Sequence, residues 1–272
     1  VETAHQLVDA AAQAGADAVK FQTFTADSLA IPDAPKAEYQ ERTSDPAQSH
    51  FEMLRSLELS ADHHKELMAH CGEAGLLFMS SPFDEGSADL LADLGVAVFK
   101  IPSGELTNLP LLAHIARKGK PMVVSTGMAY LGEVEQAVKT ISEAGNRDII
   151  LLHCVSNYPA DPSDINLRAM HTMATSFGLP VGYSDHTMGI EVPIAAVALG
   201  ASVLEKHFTL DRDAPGPDHR ASLEPDELAA MVRGIRIAEM ALGHGRKEPA
   251  ASEADTASVA RKSLVAARDI PA

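Results

Sequence analysis

Seven short apolar runs recur along the chain: ADAVKFQTF, GLLFMSSPF, VAVFKIPS, PMVVSTG, DIILLHCVS, PVGYSDH and ASVLEKHFT. Most are continuous rather than alternating, which is the pattern of strands in a parallel sheet covered on both faces. Between them lie stretches with apolar residues at helical spacing: ADHHKELMAHCGEAG, EGSADLLADLG, NLPLLAHIARKG, LGEVEQAVKTISEAG, a less regular SDINLRAMHTMATSFG and GIEVPIAAVALGA. A last one, LEPDELAAMVRGIRIAEMALG, follows the final run. Glycine closes many of these stretches, where a helix wants a left-handed residue just past its end. The βα rhythm continues without a break in composition, so residues 1–243 read as one α/β domain. A (β/α)8 barrel of the TIM type, lacking its first strand, accounts for both the seven runs and the helical opening VETAHQLVDAAAQAG. The competitor is a doubly wound open sheet, but no glycine-rich dinucleotide loop follows an early strand.

Two segments fall outside the rhythm. Residues 24–59 form a long βα connection, a place where barrels build covers over their sites. Residues 244–272 are polar and then weakly apolar, as expected of a linker entering a further module. Composition narrows the partners. The net charge of −16 argues against a nucleic-acid surface or an anionic membrane, though not against a small anion held by local lysines. No apolar run approaches the roughly 20 residues that span a bilayer. The two cysteines, Cys71 and Cys154, form no CxxC motif, so a reducing cytoplasm is the expected setting.

The chemistry gathers at the strand ends. His186 and His207 end successive strands, one βα unit apart, so their imidazoles can converge at one rim. Strand alternation places Ser184 with His186, and Glu205 with His207, on equivalent faces, while Lys206 points the other way. Two such imidazoles can hold a divalent metal with positions left for substrate oxygens; the bland alternative is two unrelated core histidines. Other strand ends offer Lys20, Gln22, Ser80, Ser81, Lys100, Ser103, Glu105, Ser125, Ser156, Asn157 and Tyr158, with Asp218, His219 and Arg220 in the last loop. Lysines and small hydroxyls suit a phosphate and a carboxylate. Two lysines inside apolar strands are hard to dismiss, because a buried ammonium without a partner is expensive.

The segments GADAVKFQTF, SSPFD, FKIPSGE, STGM, HCVSNYP, GYSDHT, LEKHFT and PGPDHRASLEP, in this order, resemble the sialic acid synthase family. Its members condense phosphoenolpyruvate with N-acetylmannosamine or a related 2-acetamido sugar. The resemblance implies a (β/α)8 barrel with Mn²⁺ (Mg²⁺ or Co²⁺ as alternatives) on His186 and His207. It implies that Lys100, Ser103, Ser125 and Ser184 hold phosphoenolpyruvate, with Ser81 where some relatives have threonine. Lys20, Gln22, Tyr158 and Asp218 would face the sugar, Lys20 contacting both substrates, and Glu205 would support the metal or the reacting groups. Ser156 stands where relatives carry asparagine, which weakens its assignment to the sugar. Lys206 reads as structural, His153 and Cys154 as packing beside the site, and His219 and Arg220 as loop residues no more tied to substrate than to solvent. The family also implies a homodimer and an antifreeze-like C-terminal domain, so this chain, lacking that domain and a first-strand glutamate, is expected to be inactive alone. A metal-dependent pyruvate aldolase or lyase and a non-catalytic sugar-binding barrel are the competing functions.

Overall fold

Each of the seven apolar runs forms a strand in the computed structural model, which describes residues 1–36, 41, 47–269 and 271. The strands are β1 (Ala18–Thr23), β2 (Leu77–Pro82), β3 (Phe99–Ile101), β4 (Met122–Ser125), β5 (Ile149–Cys154), β6 (Val181–Asp185) and β7 (Leu204–Lys206). All pair in parallel and in chain order, from β1 at one edge to β7 at the other. A doubly wound sheet would reverse its strand order partway, so that competitor is excluded. The helices are α1 (Glu2–Ala14), α2 (Ala26–Leu29), α3 (His50–Ser56), α4 (Ala61–Glu73), α5 (Glu85–Leu94), α6 (Leu109–Ala116), α7 (Leu131–Glu143), α8 (Arg168–Phe177), α9 (Glu191–Ala198), α10 (Pro225–Leu242) and α11 (Ala254–Ala260). None of the described helices is long and apolar enough to cross a membrane.

The ends of these elements follow local chemistry. Asp84 accepts from the Ser87 amide at 2.8 Å and starts α5, which stops at Gly95 in the left-handed conformation (φ 80°). Pro102 has no N–H to give a ladder, and β3 ends just before it. Of the long 24–59 connection, α2 and α3 are described, while residues 37–40 and 42–46 lie outside the described residues. The described part of 244–272 holds α11 and is exposed almost throughout.

Alternation sorts the strand residues into two layers. Facing the helices, Phe99, Ile101, Val124, Leu151 and Tyr183 pack with Leu67, Leu91, Leu112, Ile115 and Ile141, all fully buried. Facing inward, Val98, Val123 and Leu152 cluster with Met79, Ile150 and Val203 and plug the amino end of the sheet's concave side. Gly182 belongs to this inner layer: a Cβ there would lie 2.2 Å from the Val203 carbonyl oxygen, so only glycine lets β7 come so near.

The sheet curls strongly. Lys20 on the β1 edge and Glu205 on the β7 edge meet at 3.1 Å although five strands separate them in the sheet. On the outside, α1 packs against α10, and Arg236 of α10 grips the Asp17 carboxylate with contacts of 2.8 and 2.7 Å. The helical layer therefore joins where β1 and β7 remain unpaired edges, as the count of seven strands predicts.

Candidate active site

Above the apolar plug, the inward positions turn polar. Lys100, one alternation beyond Val98, reaches Ser125 Oγ at 2.7 Å and Glu205 Oε2 at 3.3 Å. Lys20 takes the other carboxylate oxygen at 3.1 Å, and the Ser184 hydroxyl donates to Oε2 at 2.7 Å. Four strands thus bring two ammonium groups and a hydroxyl onto one carboxylate. Burial alone would raise the Glu205 pKa, but Lys100, Lys20 and Ser184 outweigh it and hold the carboxyl well below its ordinary range. Burial pushes Lys100 down, with Glu205 opposing and the Lys20 charge adding to the fall.

A second string of groups adjoins the first. Ser103 accepts from the Gly127 amide at 3.0 Å and donates to Cys154 Sγ at 3.6 Å, and Ser156 Oγ lies 3.9 Å from the same sulfur. Gly127 has no room for a side chain: a Cβ would sit 2.3 Å from Ser156 Oγ and 2.7 Å from Ser103 Oγ. Ser81 is fully buried and its hydroxyl has no protein partner. Gln22, opposite Ser81 in the β1–β2 register, is exposed at the open rim.

The histidines converge as the sequence predicts. Their ring centroids are 5.2 Å apart, and Tyr158 lies against both, at 4.2 Å from His186 and 5.5 Å from His207. His186 Nδ1 faces the Val155 carbonyl at 2.7 Å, which places a proton on Nδ1, so in the neutral ring the lone pair is on Nε2. Burial disfavours charge on His186, but contacts with Cys154 and the Val155 carbonyl outweigh it and raise its pKa. Burial, then the Lys20 and His186 charges, lower His207 to about 3, so it is a neutral imidazole at pH 7. Asp218 Oδ2 is 3.9 Å from His207 Nδ1, its Oδ1 is buried with no partner, and burial raises its pKa. The two imidazoles, with ring centroids 5.2 Å apart, offer a divalent cation two nitrogen ligands. Among the described residues no group of three or more His, Cys, Asp or Glu side chains forms a ready-made cage. Any ion here would have coordination positions left for substrate.

Several rim residues named from sequence stay outside this cluster. Glu105 turns away in the 3-10 turn after β3 and accepts from Asn108 at 2.8 Å. His219 bonds Thr209 at 2.7 Å, and Arg220 is exposed. His153 faces outward, with Nε2 on the Ile165 carbonyl at 2.6 Å. Cys154, by contrast, lies beside the site, its sulfur between Ser103 and His186. Sequence reasoning placed Lys206 outward as a structural residue but missed its partner. Behind the rim, Asp185 pairs with Lys206 at 2.6 Å and also accepts from Tyr183 at 2.9 Å and from Thr187. The signal was present in SDHT and EKH, where a charged residue precedes each histidine.

A curled parallel sheet of sequential strands, with lysines, a carboxylate and paired imidazoles at its carboxyl rim, defines an α/β barrel-type enzyme. The chain belongs to the NeuB family, whose model matches residues 7–247. It is 48% identical to an N,N'-diacetyllegionaminic acid synthase of Legionella pneumophila, over 99% of this chain and 77% of that protein. It is 49% identical to the Campylobacter jejuni enzyme of the same name, over 98% of this chain and 80% of the relative. Among solved structures, an N-acetylneuraminic acid (sialic acid) synthetase from Leptospira borgpetersenii, crystallised with citrate, superposes with a TM-score of 0.82 at 35% identity, covering 96% of this chain and 88% of that one.

Proposed function

We infer that this chain is the catalytic framework of a synthase that condenses phosphoenolpyruvate with a 2-acetamido sugar, giving a nonulosonic acid and phosphate. The observation that carries the reading is the convergence of Lys20 and Lys100 on Glu205, with Ser125 and Ser184 beside them, at an open rim. Lys100 and Ser125 supply a charge and a donor to the phosphate, and Ser103 and the unpartnered Ser81 hydroxyl add two more donors. Lys20 stands at the mouth of this group, between phosphoenolpyruvate and the sugar; Gln22, Tyr158 and Asp218 face the sugar, and Ser156 adjoins them.

In the reaction, phosphoenolpyruvate C3 forms a bond to the sugar's aldehyde carbon, and the aldehyde oxygen takes a proton. C2, left with oxocarbenium character, adds water. Glu205, held ionised by its two lysines, stabilises that positive character and accepts the water's proton. Phosphate then leaves by C–O cleavage with the bonding electrons, onto Lys100 and Ser125, and takes the C2 hydroxyl proton as the C2 carbonyl forms. A divalent ion on His186 and His207, Mn²⁺ in this reading with Mg²⁺ or Co²⁺ as alternatives, supplies Lewis-acid polarisation of the aldehyde when bound. The carbon–carbon bond needs positioning more than a protein nucleophile.

The PDHRASLEP segment and the identity to the two legionaminic acid synthases favour a legionaminate or N-acetylneuraminate type over a pseudaminate type. We further propose a closed eight-stranded barrel, residues 244–272 leading to a further domain, a homodimer and a cytoplasmic setting. The test is phosphate release by the full-length protein from phosphoenolpyruvate with Mn²⁺ and a panel of 2-acetamido sugars. Release that requires an acetamido sugar is expected. Carbon–carbon bond formation with pyruvate and no phosphate would identify an aldolase instead, and turnover with no substrate in the panel would leave only a binding protein.

A further inference from the structure

The buried pair behind the rim has a geometry that the reaction does not use. Asp185 and Lys206 are 0% and 2% exposed and lie on the helix-facing side of the sheet, directly opposite one another in the β6–β7 register. Each is the covalent neighbour of one imidazole: Asp185 precedes His186, and Lys206 precedes His207. The pair also clamps the residue after His186 from both ends. The Thr187 amide donates to Asp185 Oδ1 at 3.0 Å, and Lys206 Nζ donates to the Thr187 carbonyl. Thr187 Oγ1 and Tyr183 OH complete the Asp185 carboxylate at 2.9 Å each. On the far side of His186, its own carbonyl accepts from Ala160 N–H at 2.9 Å.

Stability alone does not call for such a pair. A buried ion pair is often matched or bettered by apolar residues of similar volume, and the outward positions just before it, Leu204 and Tyr183, fill the same layer with largely apolar side chains. What an ion pair provides here is a fixed distance and register between two strand ends that pair over only three residues. We propose that Asp185 and Lys206 are positioning residues that set the spacing of His186 and His207 at the rim. The proposal rests on the reading of those imidazoles as metal ligands. The pair touches neither substrate nor ion; it acts through the backbone of 185–187 and 206–207. In the proposed reading Lys100, Ser103, Ser125 and Ser81 hold phosphoenolpyruvate from β2, β3 and β4, and Ser184 of β6 is held by Glu205 rather than by the pair, so its affinity should barely respond.

The experiment is Mn²⁺ titration of the full-length protein, followed by the electron paramagnetic resonance of free Mn²⁺, with phosphoenolpyruvate affinity and melting temperature measured on the same samples. The variants are Asp185→Asn/Lys206→Gln, which keeps the shapes and removes both charges, Lys206→Arg, and His186→Ala. The double variant should bind Mn²⁺ about 10–100-fold more weakly, the usual range for groups that orient a metal ligand. Its phosphoenolpyruvate affinity should stay within about threefold of wild type, and Lys206→Arg, which keeps charge and donors, should recover most of the Mn²⁺ affinity. Should the double variant not fold, Lys206→Gln alone carries the same comparison. Unchanged Mn²⁺ affinity in the double variant, with His186→Ala defective, overturns the positioning role while the metal reading stands. Parallel loss of Mn²⁺ and phosphoenolpyruvate affinity overturns it in favour of a general structural role. Mn²⁺ binding that survives His186→Ala overturns the metal reading and this proposal with it.

Discussion

The two faces of β6 and β7 carry ion pairs one residue apart, and they are built on opposite plans. On the outer face, Asp185 and Lys206 are sealed, and each oxygen of the carboxylate has donors within the fold. On the inner face, Glu205 is shared by Lys20 and Lys100, its side chain is 19% exposed, and two nearby oxygens, Ser81 Oγ and Asp218 Oδ1, have no partner. A folded chain rarely leaves buried polar atoms unpaired without reason. The difference teaches how to tell scaffold from site when both contain buried charge. On these two faces, the outer pair closes its hydrogen bonds internally, and the inner one leaves two oxygens to be closed by a ligand.

Substitutions on the two faces should therefore separate binding from stability. The largest effect is expected from Lys100→Met, which keeps bulk and removes an ammonium from the inner face. It should lower kcat/KM for phosphoenolpyruvate by roughly 30–1000-fold, equivalent to about 2–4 kcal/mol. Next come His186→Ala and His207→Ala: each should abolish the stimulation of phosphate release by Mn²⁺ while circular dichroism shows the fold intact. On the outer face, Tyr183→Phe removes one donor to Asp185. It should destabilise the protein by about 0.5–1.5 kcal/mol in urea unfolding and leave the phosphoenolpyruvate KM unchanged. The smallest effect sharpens the contrast most. Ser81→Ala deletes a hydroxyl with no protein partner, so the melting temperature should hold or rise slightly, while phosphoenolpyruvate affinity falls by about 3–10-fold, near 1 kcal/mol.

Much of this was legible along the chain, because it depends on periods. Continuous apolar runs mark parallel strands, and two-residue alternation sends Glu205 and His207 inward and Lys206 outward. What alternation cannot supply is register between strands. Asp185 sits next to a conspicuous histidine, yet its partner is 21 residues away and is fixed only when Asp185 falls opposite Lys206. Cys154 shows the same limit: it reads as packing beside the site, and only the placing of Ser103, Ser156 and His186 around it shows a sulfur lining the rim. Glu105 failed in the opposite sense. It follows a strand end in sequence, but the chain enters a 3-10 turn after Pro102 and carries it to Asn108. Backbone groups such as the Val155 carbonyl that orients His186 leave no mark on a sequence at all.

The most direct test of the inner face as the ligand site is calorimetric titration of phosphoenolpyruvate into the full-length wild-type protein, Lys100→Met and Tyr183→Phe. The account predicts saturable binding to wild type, equal binding to Tyr183→Phe, and an affinity at least about 30-fold weaker for Lys100→Met. Equal affinity in wild type and Lys100→Met would show that the buried lysines and their carboxylate serve the scaffold, and would contradict it.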